Sequence, residues 1–144
     1  MWRESDCQGT YYGCETQSVC DDAPVDRVLL VTQTGDFLGI AQSAWESLID
    51  SAVDTLKVKY PAVERVELLT FVRGPGVESC GGESVISPKL DAAQAAVAEA
   101  SAGEVRVGPR LSVGSCSAFA GPPYLSDAGN REVAKQLLTH YAKP

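Results

Sequence analysis

Two aspartates stand at places in this chain where a carboxylate can take part in a site. Asp36 follows Gly35 in a predicted tight turn, and Asp127 follows Ser126 at the start of a predicted helix. Each also has a structural role open to it. Asp36 can bond the backbone amides of its turn, and the charge of Asp127 favours the helix dipole. We keep both as site candidates.

Other side chains suggest nucleophilic chemistry but lack a base. Ser115 and Ser117 flank Cys116 in a loop, and a serine without a nearby base is a poor nucleophile. His140 is the only histidine. It lies about fourteen residues into the last predicted helix, roughly 20 Å from the start of that helix at 1.5 Å per residue. We interpret the serines as loop hydrogen bonders and His140 as a surface residue.

The cysteines indicate an oxidising compartment. They are too many for a typical cytosolic domain, and they lack the paired spacing of a zinc site. We therefore predict a secreted or periplasmic protein with no metal and no cofactor. The five positions are Cys7, Cys14, Cys20, Cys80 and Cys116.

Composition and charge limit the class of partner. The 44% hydrophobic and 22% charged residues are ordinary for a globular domain. The apolar runs are far too short to span a membrane. With a formal net charge of −7 and scattered Lys and Arg, the chain would repel nucleic acid and anionic membranes. Neutral molecules, cations and other proteins remain as partners.

The hydrophobic pattern predicts an α/β domain over residues 25–144, after an irregular Cys-rich segment at residues 1–24. The predicted strands are DRVLLV (26–31), RVELLTF (65–71) and EVRVG (104–108). The first of these lacks alternation, which is typical of a strand covered on both faces. Apolar stripes predict three helices, and alternation of strand and helix predicts a parallel sheet with helices on both faces. The last helix, capped by Ser126, has the stripe Val133, Ala134, Leu137, Leu138 and Tyr141.

Three loops should meet beyond the carboxyl ends of these strands, where open parallel sheets bind ligands. They contain TQTGDFLG, VRGPGVESCGG and SVGSCSAFAGPPYLSD. The second loop carries Cys80 and the third carries Cys116. Because both loops leave neighbouring strands at the same edge, we predict a disulfide between these two cysteines. The three amino-terminal cysteines would then hold one further bridge and one free thiol.

The order of elements from residue 26 to residue 138 resembles the carboxyl-terminal part of the SGNH/GDSL hydrolases. DRVLLVTQTGDFLG, KYPAVERVELLT, a Cys-bearing loop, VRVGPRLSV and YLSDAGNREVAKQL carry the resemblance. The resemblance implies a flavodoxin-like α/β/α sandwich that acts on carboxyl esters or acetylated sugars. It also implies a Ser nucleophile, a Gly and an Asn that bind the oxyanion, and an Asp-x-x-His pair before the last helix.

The family's active residues are not found at the matching positions. Its Gly-Gly-Asn-Asp turn falls on residues 33–36, so Gly35 stands in place of the Asn and only Asp36 is kept. Its Asp-x-x-His falls on residues 121–124, where Tyr124 replaces the histidine. The Ser block has no counterpart in these 144 residues. Tyr124 can donate a hydrogen bond, but with a pKa near 10 a tyrosine is a weak base at neutral pH.

We therefore expect a derivative or a piece of a hydrolase of this family that lacks its catalytic set. The alternatives are an active esterase with a relocated site that uses Asp36 or Tyr124, and a non-catalytic module that binds a glycan or a protein. A small ester or a glycan is the expected ligand. Its candidate binding residues are Gln33, Thr34, Gly35 and Asp127.

The first predicted strand raises a separate expectation. In the family the strand with the Ser block lies beside it, and that neighbour is missing here. An apolar strand with an open edge is a template for pairing with another chain. We expect the edge to be covered by a second copy in a homodimer or by the Cys-rich segment.

Overall fold

The predicted alternation of strands and helices is confirmed in the computed structural model, which describes residues 25–32, 39–75, 80, 88–121 and 124–142. The Cys-rich segment at 1–24 and the turn at 33–36 lie outside the described residues. The elements in chain order are β1 (Arg27–Thr32), α1 (Gln42–Lys59), β2 (Arg65–Thr70), α2 (Pro88–Ala100), β3 (Val105–Val107), β4 (Phe119–Gly121), β5 (Tyr124–Leu125) and α3 (Asp127–Tyr141).

The first three strands form a parallel sheet in the order β1-β2-β3. β1 pairs with β2 from Arg27 opposite Arg65, and β2 pairs with β3 from Val66 opposite Val105. A parallel bridge at Arg73 continues the β2–β3 pairing past the ends of both strands. The loops that follow β2 and β3 therefore leave the sheet side by side at its carboxyl edge.

One face of the sheet is covered by α1 and α2, which also contact each other. Val66 and Leu68 of β2 point to this face and are fully buried, and Val28 and Leu30 of β1 pack against the same cluster. The helices supply residues at spacings of three and four, as the sequence predicted. The helical members of this core are Trp45, Ile49, Val53, Leu56, Leu90, Ala93 and Val97.

The last helix, α3, lies on the opposite face of the sheet. Leu69 of β2 and Val133 of α3 belong to a second, smaller buried cluster. As predicted, the Ser126 side chain caps α3 by accepting a hydrogen bond from the Gly129 N–H. Farther along the helix, the Gln136 side-chain amide bonds both the N–H and the carbonyl of Ser112. Helices thus lie on both faces, as expected.

The predicted buried face of α3 is only partly right. Val133 is buried and Leu137 packs against the second cluster, but Ala134 is exposed and Leu138 is 66% exposed. The inward-facing residues follow a row of i, i+4 positions from Gly129 through Val133 to Leu137, so α3 packs on the second cluster along a single line.

The prediction that the first strand is covered on both faces is wrong for the described residues. β1 lies at the edge of the sheet, and its side chains alternate between exposed and half-buried. Leu29 is 46% exposed and Val31 is 49% exposed, on the face that carries α3. A run of apolar residues indicates that a strand is to be buried, but it does not identify the segment that packs against the strand.

The region from residue 109 to residue 124, predicted as a loop, contains short regular elements. A 3-10 helix spans Cys116–Ala118, and β4 pairs with β5 in an antiparallel arrangement through Phe119 and Leu125. Strands of two and three residues are too short to show a hydrophobic period, which is why the sequence did not reveal them.

The disulfide expected between Cys80 and Cys116 is present, with a Cα–Cα distance of 5.1 Å. It joins the loop after β2 to the 3-10 helix after β3. Cys7, Cys14 and Cys20, which were predicted to hold one further bridge and one free thiol, lie outside the described residues. Among the helices of the described ranges, none is long and apolar enough to span a lipid bilayer.

A buried carboxyl group ties the end of α3 to the centre of the sheet. Glu67 of β2 is only 6% exposed, and the Tyr141 hydroxyl donates a hydrogen bond of 2.7 Å to its Oε2. The Nε of Arg27 lies 3.7 Å from Oε1 of the same carboxyl. Burial raises the pKa of Tyr141 well above its usual value, and the hydrogen bond to Glu67 raises it further.

We expect Tyr141→Phe to lower the free energy of unfolding by roughly 1–3 kcal/mol, because a buried carboxyl loses a hydrogen bond. The raised pKa of Tyr141 keeps its phenol protonated in the folded protein, whereas the unfolded chain releases this proton near pH 10. The contribution is therefore complete below about pH 10 and is lost as the pH rises further. Urea midpoints from pH 8 to pH 11 should fall more steeply for the wild type than for Tyr141→Phe. Tyr60→Phe is the control, and parallel curves for the wild type and Tyr141→Phe would contradict the prediction.

Candidate functional site

The residues singled out by the sequence do not gather into one catalytic arrangement within the described structure. Tyr124 lies in β5 and is 74% exposed. Asp127 is the first residue of α3 and is exposed, so its charge lies at the amino end of the helix, as its structural role requires. Gln33, Thr34, Gly35 and Asp36 lie outside the described residues.

The hydroxyls and the histidine considered as nucleophile and base lie apart. The Oγ atoms of Ser115 and Ser117 are hydrogen-bonded to each other at 2.9 Å, and Ser115 also caps the 3-10 helix. Cys116 between them is in the disulfide. His140 lies in the last turn of α3, where it is exposed and makes an edge-to-face contact with Tyr141. These findings agree with the structural roles inferred for the serines and the histidine.

A cluster that the sequence did not reveal occupies the carboxyl edge of the sheet. Arg73 follows β2, Arg110 follows β3, and Asp91 lies in the first turn of α2. Nη2 of Arg73 lies 2.6 Å from Oδ1 and 2.8 Å from Oδ2 of Asp91. Nη1 of Arg110 lies 3.2 Å from the same Oδ1. One carboxylate therefore holds two guanidinium groups together.

A buried amide connects this cluster to the end of β1. Gln94 of α2 is fully buried, and its Oε1 accepts a hydrogen bond from Nη1 of Arg110. Its Nε2 lies 2.7 Å from Oγ1 of Thr32 and 3.1 Å from the carbonyl oxygen of Leu69. Because a buried amide is costly unless its hydrogen bonds are made, these contacts fix the position of Arg110 from the core outward.

The electrostatic setting of the cluster is partly shielded from water. Burial lowers the pKa of the Arg110 guanidinium, the charge of Asp91 raises it, and the charge of Arg73 lowers it again. The side chains of Arg73, Asp91 and Arg110 are each about one third exposed, at 30%, 30% and 32%. Two buried atoms, Oγ1 of Thr70 at the end of β2 and Nε of Arg73, have no hydrogen-bond partner in the described structure.

The cluster is rich in hydrogen-bond donors and contains no nucleophile with an adjacent base. Within the described ranges, histidine, cysteine and acidic side chains do not gather into a group that could hold a metal ion. Sequence reasoning missed the cluster because α2 and β3 lie between Arg73 and Arg110 in the chain. Their one common signal is that each follows a predicted strand closely, in the loops that were expected to converge.

Comparison with known proteins identified no matching family model, no matching curated protein and no matching solved structure.

Proposed function

We propose that this chain is a secreted or periplasmic SGNH hydrolase-like domain that does not hydrolyse esters with its own residues. The parallel strand order, with two crossover helices on one face and the last helix on the other, supports the fold part of the proposal. The disulfide between Cys80 and Cys116 supports the oxidising compartment.

The proposal that the domain lacks hydrolase chemistry rests on the hydrogen bonds made by the serine hydroxyls at the carboxyl edge of the sheet. Ser115 and Ser117 bond each other, and Ser126 caps α3. Tyr124, at the position resembling the family's histidine, is exposed in a short strand. A serine needs an adjacent base to act as a nucleophile, and none of these three serines has a histidine within hydrogen-bond distance in the described structure.

Hydrolysis of p-nitrophenyl acetate tests this proposal. We expect the full chain to release p-nitrophenol no faster than the same chain after heat denaturation, because loss of triad members leaves only residual catalysis. Turnover well above that background, abolished by Tyr124→Phe or Asp36→Asn and retained by Tyr60→Phe, would instead establish an active esterase with a relocated site.

We also propose that the open edge of β1 is covered in the native protein, by a second copy or by residues 1–24. The half-exposed Leu29 and Val31 support this, because an apolar strand with unpaired backbone groups attracts another strand. A further strand paired with β1 would also bring its own side chains next to Leu29 and Val31.

We expect Leu29→Lys to abolish the dimer, or to lower the free energy of unfolding by about 2 kcal/mol if the cover is internal, because a buried leucine contributes this much. Light scattering and urea unfolding separate the two cases. Val58→Lys is the matched control, since Val58 is apolar and 78% exposed on α1. If both variants stay monomeric and equally stable, and the β1 amides exchange as fast as loop amides, the edge is uncovered.

A further inference from the structure

We propose that Arg73 and Arg110 form a binding site for a small carboxylate at the carboxyl edge of the sheet, with Asp91 holding the two guanidinium groups in place. We call these two residues the arginine pair. This inference goes beyond the proposed function, because it rests on contacts within the described structure and not on the resemblance to hydrolases.

The balance of charge in the cluster favours an anion. Asp91 supplies one negative charge to two guanidinium groups, through the contacts of 2.6 Å and 3.2 Å at its Oδ1. Among the described residues, Asp91 is the carboxylate that pairs with Arg73 and Arg110. The three side chains together keep a net charge of +1 within a chain of net charge −7. A monoanion would neutralise this remaining charge.

The number of hydrogen-bond donors also exceeds what the cluster uses. Each guanidinium carries five N–H donors, and the recorded contacts to Asp91 and Gln94 use Nη2 of Arg73 and Nη1 of Arg110. Nε of Arg73 and Oγ1 of Thr70 are two of the three buried polar side-chain atoms without a partner in the described structure. Unmet hydrogen-bonding capacity is thus concentrated where the chain leaves β2.

The arginine pair is held in position before any ligand arrives. Arg110 is anchored through Gln94 to Thr32, and Arg73 by two contacts to Asp91. Backbone hydrogen bonds from Arg73 N–H to Leu111 O and from Val113 N–H to Arg73 O join the two loops directly. Groups that are already ordered lose little conformational entropy on binding, so even the few contacts that a small anion makes can be sufficient for binding.

The contacts favour a carboxylate as the ligand. The fork of a guanidinium group matches the two oxygens of a carboxylate. Asp91 contacts Arg73 through Nη2 alone and Arg110 through Nη1 alone, so neither fork is filled by its carboxylate. A net charge of +1 balances a carboxylate fully and a phosphate dianion only in part. With about a third of each arginine side chain exposed, a small ligand can reach the pair from solvent.

Amide NMR titrations of the full ¹⁵N-labelled chain test this site. Sodium acetate, inorganic phosphate and the neutral ester methyl acetate are added separately, with sodium chloride keeping the ionic strength constant. We expect saturable shifts at residues 73 and 110–113 with acetate, with a dissociation constant on the order of 1 mM. Methyl acetate should produce no saturable shift at these residues.

The variants separate a specific site from general attraction of anions. Arg110→Gln should weaken acetate binding at least about tenfold, and Arg110→Lys, which keeps the charge and loses the fork, should also weaken it. Arg106→Gln is the matched control, because Arg106 is exposed on β3. The proposal is wrong if acetate does not saturate, if phosphate binds more tightly than acetate, or if Arg106→Gln and Arg110→Lys have equal effects.

Discussion

Replacement of both Cys80 and Cys116 by alanine is expected to lower the free energy of unfolding by about 4 kcal/mol. The disulfide closes a loop between residues 36 apart in the sequence. In the chain-entropy account, a cross-link that closes a loop of this length removes roughly that much conformational freedom from the unfolded chain. The bond also holds together two of the three loops at the carboxyl edge of the sheet.

Urea unfolding of the double variant and of the two single variants measures this effect. Thiol titration of the unfolded wild type should find one free thiol, and each single variant should show one more. If Cys80→Ala/Cys116→Ala retains the wild-type midpoint, the bond does not stabilise the fold. If peptide mapping pairs Cys80 with an amino-terminal cysteine, the described bond does not form in solution.

Gly129→Ala is expected to destabilise the protein by roughly 2 kcal/mol or more. A Cβ atom at this position would lie 2.2 Å from the carbonyl oxygen of Ala118 and 3.1 Å from its carbonyl carbon. The same oxygen accepts a hydrogen bond from the Ser126 N–H, so the backbone cannot withdraw without losing it. Overpacking against a fixed backbone usually costs about 1–3 kcal/mol and occasionally more. A contact as short as 2.2 Å belongs at or above the upper end of this range, so its cost exceeds the roughly 1 kcal/mol that alanine gains over glycine in a helix.

Thermal and urea unfolding of Gly129→Ala test this expectation against Gly114→Ala. The Cβ of the control would meet nothing closer than 3.9 Å. We expect the control to stay within about 0.5 kcal/mol of the wild type, as surface substitutions usually do. If Gly129→Ala is as stable as the control, α3 does not pack as closely on Ala118 as described.

Local patterns in the sequence were sufficient to predict the main elements of the fold. The cap of α3 at Ser126 and the start of α2 at Pro88 follow from short-range chemistry that the sequence displays directly. The bond between Cys80 and Cys116 followed from topology alone, because both cysteines lie in loops leaving neighbouring parallel strands.

The parts that could not be predicted depend on contacts between distant segments. The partner of Glu67 is Tyr141, 74 residues away, and no local pattern links them. Arg73 and Asp91 look like ordinary surface charges until the sheet brings their elements together. The missing neighbour predicted an open edge at β1, but the exposure of Leu29 and Val31 was not predicted, since these residues have the composition of a central strand.

The two hydrophobic clusters divide the described chain into parts that need not open together. The cluster beneath α1 and α2 has ten buried residues, whereas the one beneath α3 has six. Because fewer buried side chains hold α3, its detachment requires less free energy than global unfolding. Because Cys116 is bonded to Cys80, we expect this detachment to be confined to the segment after Cys116 and to leave the arginine pair in place. We therefore expect the amides of α3 to exchange with solvent through a sub-global opening, and those of β2 to remain protected until the whole sheet separates.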